Sequence, residues 1–211
     1  MDSSYMGVID NKLFPLKEAS VIVTGGVGAI GNNLVRELVK IGVDVVVIDD
    51  YSSGRLENLA DLNNTVEVVE GDIADDSVLE KAFNRSVDYV FHLAALFANQ
   101  NSVEHPVKDL QTNGLGTLKL LEKAVEGNIR RFVFSSSSCV YGGCSEAMSE
   151  CMDRMPDTPY AITKVLGEQY VRFFATHNGL STVIIRYFNS YGPGELSGQF
   201  RYVIPNFFAL A

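Results

Sequence analysis

Residues 20–31 read Ser20-Val21-Ile22-Val23-Thr24-Gly25-Gly26-Val27-Gly28-Ala29-Ile30-Gly31, a short β-branched run that breaks into glycines and then into an apolar helix pattern. Strand, glycine turn and helix in that order form the opening of a nucleotide-binding βαβ unit. Gly25, Gly28 and Gly31 allow a tight turn, a close backbone approach to an anion, and close helix packing. Gly26, Gly28 and Gly31 satisfy the alternative GxGxxG reading, so the role of the first glycine stays open. Working outward, apolar β-rich runs recur at Ser20 to Thr24, Val43 to Ile48, Val66 to Val69, Tyr89 to Leu93, Phe132 to Phe134 and Thr182 to Ile185. Each is short and almost continuously apolar, as parallel strands buried on both faces must be. Helix-like stretches alternate with them at Ile30 to Ile41, Val78 to Asn84, a long one ending near Glu126, and Tyr160 to His177. The alternation predicts an α/β chain folded as a doubly wound parallel Rossmann sheet.

The second strand ends in Ile48-Asp49-Asp50, about 20 residues beyond the glycines, where a carboxylate can accept hydrogen bonds from adenosine ribose hydroxyls. Asp49 repels a 2′-phosphate, which favours NAD over NADP. A turn-starting role for the same aspartate is the plainer alternative. Farther along, Thr158-Pro159-Tyr160-Ala161-Ile162-Thr163-Lys164 places Tyr160 and Lys164 one helical turn apart. Residues i and i+4 share a helix face, so the ammonium can lie beside the phenol and favour its phenolate. The stretch Gly142 to Pro159 is rich in small and polar residues and reads as a surface loop ahead of that helix.

Composition narrows the function classes. The chain has 211 residues, 46% hydrophobic and 20% charged, which suits a globular protein with a real core. A formal charge of −9 disfavours nucleic acid and anionic lipid as partners, because both are polyanions. No basic segment followed by a long apolar stretch marks a secretory signal, and nothing approaches the roughly 20 apolar residues of a membrane span. Cys139, Cys144 and Cys151, odd in number, suit reduced thiols in the cytoplasm. Their spacing fits no standard zinc pattern, so no metal is expected. His92, His105 and His177 read as a strand-end, a loop and a helix-end residue.

Several blocks taken together, TGGVGAIG, VVVIDDYSSG, EGDIAD, FHLAAL, TNGLGTLKLLE, FVFSSSSCVYG, PYAITKVLGE and IIRYFNSYGPGE, resemble the extended short-chain dehydrogenase/reductase family. Its members include the NAD-dependent epimerases and dehydratases of nucleotide sugars. The resemblance implies catalytic roles for Ser137, Tyr160 and Lys164. It implies cofactor contacts from Gly25, Gly28, Ala29, Ile30, Gly31, Asp49, Asp50, Ser53 and Gly54, with Asp72 and Ile73 flanking the adenine. Leu93, Ala94, Ala95 and Asn113 would line the cofactor cleft, joined by Tyr160, Lys164 and Phe188. Ser137, Tyr160 and Asn189 would meet the substrate.

The resemblance further implies proton removal by Tyr160 from the sugar C4 hydroxyl while hydride passes to NAD, with Ser137 steadying the oxygen. Dehydratases and decarboxylases of the family often carry an acid just after the catalytic Ser or Thr. Here the string is Ser137-Ser138-Cys139, which favours 4-epimerisation of a UDP-sugar such as UDP-glucose. A dehydratase or decarboxylase is the alternative. Three segments are expected: an N-terminal extension (1–19), an NAD-binding domain (20–186), and the start of a substrate-binding domain (187–211) that stops short of the family's usual length. An NAD-binding fragment without catalytic activity is therefore a competing expectation. A homodimer through the helix near Thr112 to Glu126 and the Tyr160 helix is implied as well.

Overall fold

The computed structural model describes residues 16–62, 64–97, 99–198 and 203–210, so most of the expected N-terminal extension lies outside the described residues. Six strands run in parallel: β1 (Ser20–Thr24), β2 (Asp44–Asp49), β3 (Val66–Glu70), β4 (Tyr89–His92), β5 (Arg131–Ser137) and β6 (Thr182–Tyr187). Their order is β3-β2-β1-β4-β5-β6, so the chain moves outward from β1 to β3 and then returns to the other side of β1. A doubly wound sheet opens a crevice at that reversal, outside the carboxyl ends of β1 and β4.

Among the described residues, seven α-helical segments accompany the strands: α1 (Ala29–Lys40), α2 (Asp76–Ala82), α3 (Asn99–Glu104), α4 (Pro106–Asp109), α5 (Thr117–Glu126), α6 (Pro159–Asn178) and α7 (Val203–Leu210). A π-helical stretch, Leu110–Gly116, joins α4 to α5, so the long helix expected to end near Glu126 carries a widened turn in its middle. The sequence reading missed α3 and this π turn. α3 is too short to show a helical period, and Gly114 and Gly116 do not distinguish a π turn from an α turn; π segments inside helices tend to accompany functional sites.

The strands bury side chains on both faces, as their near-continuous hydrophobicity predicts. Val21 and Val23 point into one core with Val45, Val47, Val35 and Leu38. Ile22 points into the other, with Ile48, Val90, Phe132, Phe134, Leu79, Leu120, Leu121 and Val171. Each of these β1 side chains is fully buried and contributes about 2 kcal/mol through the water it leaves. The α6 boundaries follow from sequence. Thr158 caps the first turn by accepting from the Ala161 N–H, Pro159 occupies the first helical position, and Gly179 ends the helix at φ +70°.

Candidate active site

The glycine turn sits at the sheet reversal with almost no spare room. Gly25 adopts φ +71°, and a Cβ there would lie 2.7 Å from the Ala94 nitrogen in the β4 loop. At Gly31 the Cβ would lie 2.0 Å from the Gly25 carbonyl oxygen. Gly28 differs: its closest neighbour would be the Gly25 oxygen at 3.3 Å. Gly28 also caps α1, whose first turn has neither a side-chain cap nor an acidic residue. Unsatisfied amides of a helix start, with no carboxylate among them, suit an anion. These residues fit the diphosphate of a dinucleotide.

From this turn the cleft runs in two directions. One arm, about 600 Å³, is lined by Ile48, Asp49, Asp50, Ser52, Ser53, Gly54, Gly71, Asp72, Ile73, Ala94, Leu96, Lys108 and Thr112. The other, about 850 Å³, is lined by Ala29, Ile30, Gly31, Phe97, Ser135, Ser136, Ser137, Tyr160, Lys164, Tyr187, Phe188, Ser190 and Glu195. Gly25, Gly28, Leu93 and Ala95 line both, so the arms form one elongated groove.

Asp49 ends β2 and is buried, with both oxygens already in use. Oδ2 accepts the Val27 N–H and Oδ1 the Tyr51 N–H, each at 3.0 Å. Burial pushes its carboxyl above the usual value, and the two backbone donors oppose that rise. Asp49 thus braces the glycine turn as well as facing the cleft, and each oxygen keeps a lone pair for a further donor. Asp50 is exposed and accepts from the Ser52 backbone and hydroxyl. Asp72 takes the Ala74 N–H and the Thr112 hydroxyl.

Two residues expected at the site line neither arm. Asn113 lies behind the wall, where its Oδ1 accepts the Leu96 N–H at 2.7 Å and its Nδ2 donates to the Leu96 carbonyl and Asp109. It shapes the 93–97 segment from the π turn. Asn189 is exposed and is not among the groups lining either arm. Conversely, Lys108, Thr112, Phe97, Tyr187, Ser190 and Glu195 line the groove without having been singled out. Lys108 and Phe97 fall outside the blocks that carry the resemblance, and Thr112, Tyr187, Ser190 and Glu195 lie inside two of them without an individual role.

The chemical arm is assembled from β5, its following loop and α6. Ser137 ends β5, and its Oγ accepts the Cys139 N–H. Tyr160 is buried, with the Phe97 ring edge-on to it at 6.0 Å between centroids and its backbone N–H donating to Ser102. Lys164 is buried as well. Its Nζ donates to the Ser135 carbonyl at 2.9 Å and lies 5.6 Å from the Tyr160 ring centroid. Burial lowers its pKa to about 8, although Asp109 and Cys139 pull the other way. The ammonium therefore lies one helical turn from the phenol, where its charge favours the phenolate.

His92 lies beneath the wall and is fully buried. Thr117 donates its hydroxyl proton to the Asn113 carbonyl, so the imidazole Nε2–H must be the donor in the 2.8 Å contact with Thr117. Nδ1 then accepts from Thr24, whose oxygen accepts the Ala94 N–H. Burial holds this imidazole at about 3, neutral in the folded protein. It is a satisfied strand-end residue that props Ala94 against the cleft. The three cysteines are free thiols, and no group of three or more His, Cys, Asp or Glu among the described residues can hold a metal. No helix among the described residues is long and apolar enough to cross a membrane.

The chain is similar to known proteins. A UDP-N-acetyl-alpha-D-glucosaminuronate decarboxylase of Bacillus cytotoxicus is 34% identical over 196 residues, 90% of this chain and 60% of its own length. A putative UDP-glucose 4-epimerase of Methanocaldococcus jannaschii is 36% identical over 174 residues, 82% of this chain and 56% of its own. The solved structure of an epimerase from Methanothermobacter thermautotrophicus superposes with a TM-score of 0.91 at 46% identity, covering 96% of this chain and 61% of that one. The chain thus spans somewhat over half the length of the curated relatives it matches. A family model matches residues 21–210, nearly everything that carries the sheet and the cleft, and the chain belongs to that family, the NAD dependent epimerase/dehydratase family.

Proposed function

We propose that the protein is an NAD-dependent nucleotide-sugar 4-epimerase, with the UDP-glucose and UDP-galactose pair as its substrates. The observation that carries this reading is the meeting of Ser137, Tyr160 and Lys164 in the same groove as the glycine turn. Gly25, Gly28 and the first turn of α1 would hold the diphosphate of NAD. Asp49, Asp50, Ser53, Gly54, Asp72 and Ile73 would hold its adenosine end. The dinucleotide supplies hydride acceptance and return at the sugar C4 carbon. Tyr160 takes the proton of the C4 hydroxyl, Lys164 favours the phenolate by its charge, and Ser137 donates a hydrogen bond to the same oxygen. Phe188 and Asn189 follow β6 toward the sugar side. The relative from Methanocaldococcus jannaschii supports the choice of UDP-glucose.

One observation favours a second reading, a dehydratase or decarboxylase. Glu195 lines the chemical arm, and its buried Oε2 has no hydrogen-bond partner among the described residues, so an acid absent from Ser137-Ser138-Cys139 arrives from elsewhere. The decarboxylase relative agrees with it. Exposed Leu115 beside α5, with Ile162 and Phe173 on α6, supports a homodimer through these helices. A cytoplasmic location agrees with the free thiols.

The test is incubation of this chain with NAD and a panel of UDP-, dTDP- and GDP-sugars, with product analysis beside a cofactor titration. Interconversion of UDP-glucose and UDP-galactose upholds the epimerase, a keto-deoxy or decarboxylated product that Glu195→Gln abolishes moves the assignment to the second reading, and NAD binding without turnover leaves a cofactor-binding fragment. Tyr160→Phe should lower turnover by about 10²- to 10⁴-fold with NAD affinity little changed. Undiminished epimerisation in that variant would remove Tyr160 from the chemistry. Sedimentation of the chain at micromolar concentration reads the oligomeric state, and a monomer there would exclude the dimer.

A further inference from the structure

α6 carries Tyr160, Lys164 and Glu168 at i, i+4 and i+8, hence along one face. The chemistry above uses the first two. Glu168 is fully buried and stands outside the groove. Its Oε1 accepts from the Ser136 hydroxyl and from Arg186 Nε, both at 2.7 Å. Its Oε2 accepts from Arg186 Nη2 at 2.8 Å and Arg154 Nε at 2.9 Å. Arg172, one turn on, reaches Oε2 only at 3.9 Å. Arg186 stands directly opposite Ser136 in the β5–β6 ladder, and its Nη1 donates to the Tyr141 hydroxyl and the Glu150 carbonyl.

One carboxylate therefore joins β5, β6, α6 and the 142–158 loop. One turn earlier, Lys164 donates to the Ser135 carbonyl. Consecutive residues at the end of β5 are thus tied to consecutive turns of α6, and the next strand residue is Ser137. Burial alone would raise the Glu168 carboxyl, but hydrogen bonds from Arg186, Ser136 and Arg154 outweigh it and hold it at about 2. A buried ion pair is weak as a source of net stability, since desolvation offsets most of the attraction. What it supplies is one geometry rather than several.

We propose that Glu168 is a positioning residue for the chemical arm of the groove, its carboxylate holding the strand end that bears Ser137 in register with the helix face that bears Tyr160 and Lys164. This rests on the reading of those three residues as the reacting set. Catalytic groups displaced by about 1 Å lose on the order of 10²-fold in rate, so a fixed seam between β5 and α6 matters more than its stability.

The test reads the seam without needing turnover. Lys164 in the cofactor-free full chain is titrated by ¹³Cε NMR, its signal assigned through Lys164→Met. The groups facing Lys164 are Asp109, Cys139, His92 and the Tyr160 and Phe134 rings; those facing Glu168 are Arg154, Arg172, Arg186 and Ser136. Loss of a nearby negative charge by itself lowers a lysine pKa, whereas a loosened seam admits water and raises it. The two signs are opposite. Starting from about 8 in the parent, Glu168→Gln should raise the Lys164 value by about one unit. Ser136→Ala, which leaves the arginine pairs in place, should raise it less. An unchanged or lowered value in Glu168→Gln overturns the proposal, and Ser136→Ala decides alone where the glutamine variant fails to fold. Cofactor titration of the parent judges the functional reading separately, since a chain that binds no NAD can still show the Lys164 rise.

Discussion

At the glycine-turn end of the groove, Gly54 and the Asp49 carboxylate both meet the backbone of Val27. Gly54 leaves no space for a Cβ, which would lie 2.4 Å from the Val27 carbonyl oxygen, and Asp49 accepts the Val27 N–H. At the serine end, the strand end before Ser137 and the helix that bears Tyr160 and Lys164 are tied through Ser136 and Thr163 to the charges of Glu168, Arg186 and Asp109. The first end is a steric device, intolerant of added atoms. The second is an electrostatic device, which tolerates atoms but depends on protonation and on which charges face each other.

The sharpest break of this comparison is Gly31→Ala. With 2.0 Å to a backbone oxygen and 2.8 Å to the Gly26 Cα, the added methyl forces the turn apart. We expect more than about 3 kcal/mol of lost stability, read by urea unfolding, together with loss of NAD binding. A stable variant that binds NAD normally would show that the turn is looser than drawn.

Next in size is acid sensitivity from His92. Its pKa is about 3 in the folded protein against an ordinary value of 6.5, so the unfolded chain binds the extra proton between them. Stability contributed by the neutral imidazole is complete above pH 6.5 and is lost as pH falls toward 3, by at most about 1.4 kcal/mol per unit. Asp49 and Asp109, whose carboxyls burial raises, act in the opposite sense. Urea midpoints measured from pH 6.5 to 5 should fall in the parent and stay flatter in His92→Gln. Parallel curves would assign the acid loss to other groups.

Smaller again is Asp49→Asn. An amide keeps one acceptor oxygen and cannot serve both backbone donors, so about 1–2 kcal/mol of stability should go and the discrimination between NAD and NADP should narrow. Fluorescence titration with both cofactors checks this, and an unaltered ratio would confine Asp49 to the turn. Lys164→Met should have the least effect on folding. The lysine is depressed from 10.5 to about 8, so its charged form opposes folding below pH 8, and that opposition fades as pH rises from 8 to 10.5. The variant should melt no lower than the parent at pH 7 by calorimetry while losing turnover. A marked drop in melting temperature would make Lys164 a structural prop instead.

The same division explains what could be read before the fold was known. Strands were legible because Val21-Ile22-Val23 and Val45-Val46-Val47 are continuous apolar runs, and that pattern has one common use, burial between two layers. Glycine spacing was legible because few other residues tolerate φ +71° or so close a backbone approach. Tyr160 and Lys164 were legible as a pair through helix geometry. By contrast, the interior position of Asn113 depends on a π turn with no local signature, and its carboxamide brackets Leu96, 17 residues away. Lys108 and Glu195 are ordinary charged residues until the groove is closed around them.

From its residues alone, this chain determined the parallel sheet, the glycine turn at the reversal and the helix face that bears Tyr160, because those depend on steric rules and periodicities acting over a few residues. Tertiary structure decided which polar groups are buried, which carboxylates are already engaged, and how Glu168, Arg154, Arg186 and Ser136 meet. Those outcomes depend on desolvation and on pairings between residues 14 to 50 positions apart, and no local pattern encodes either.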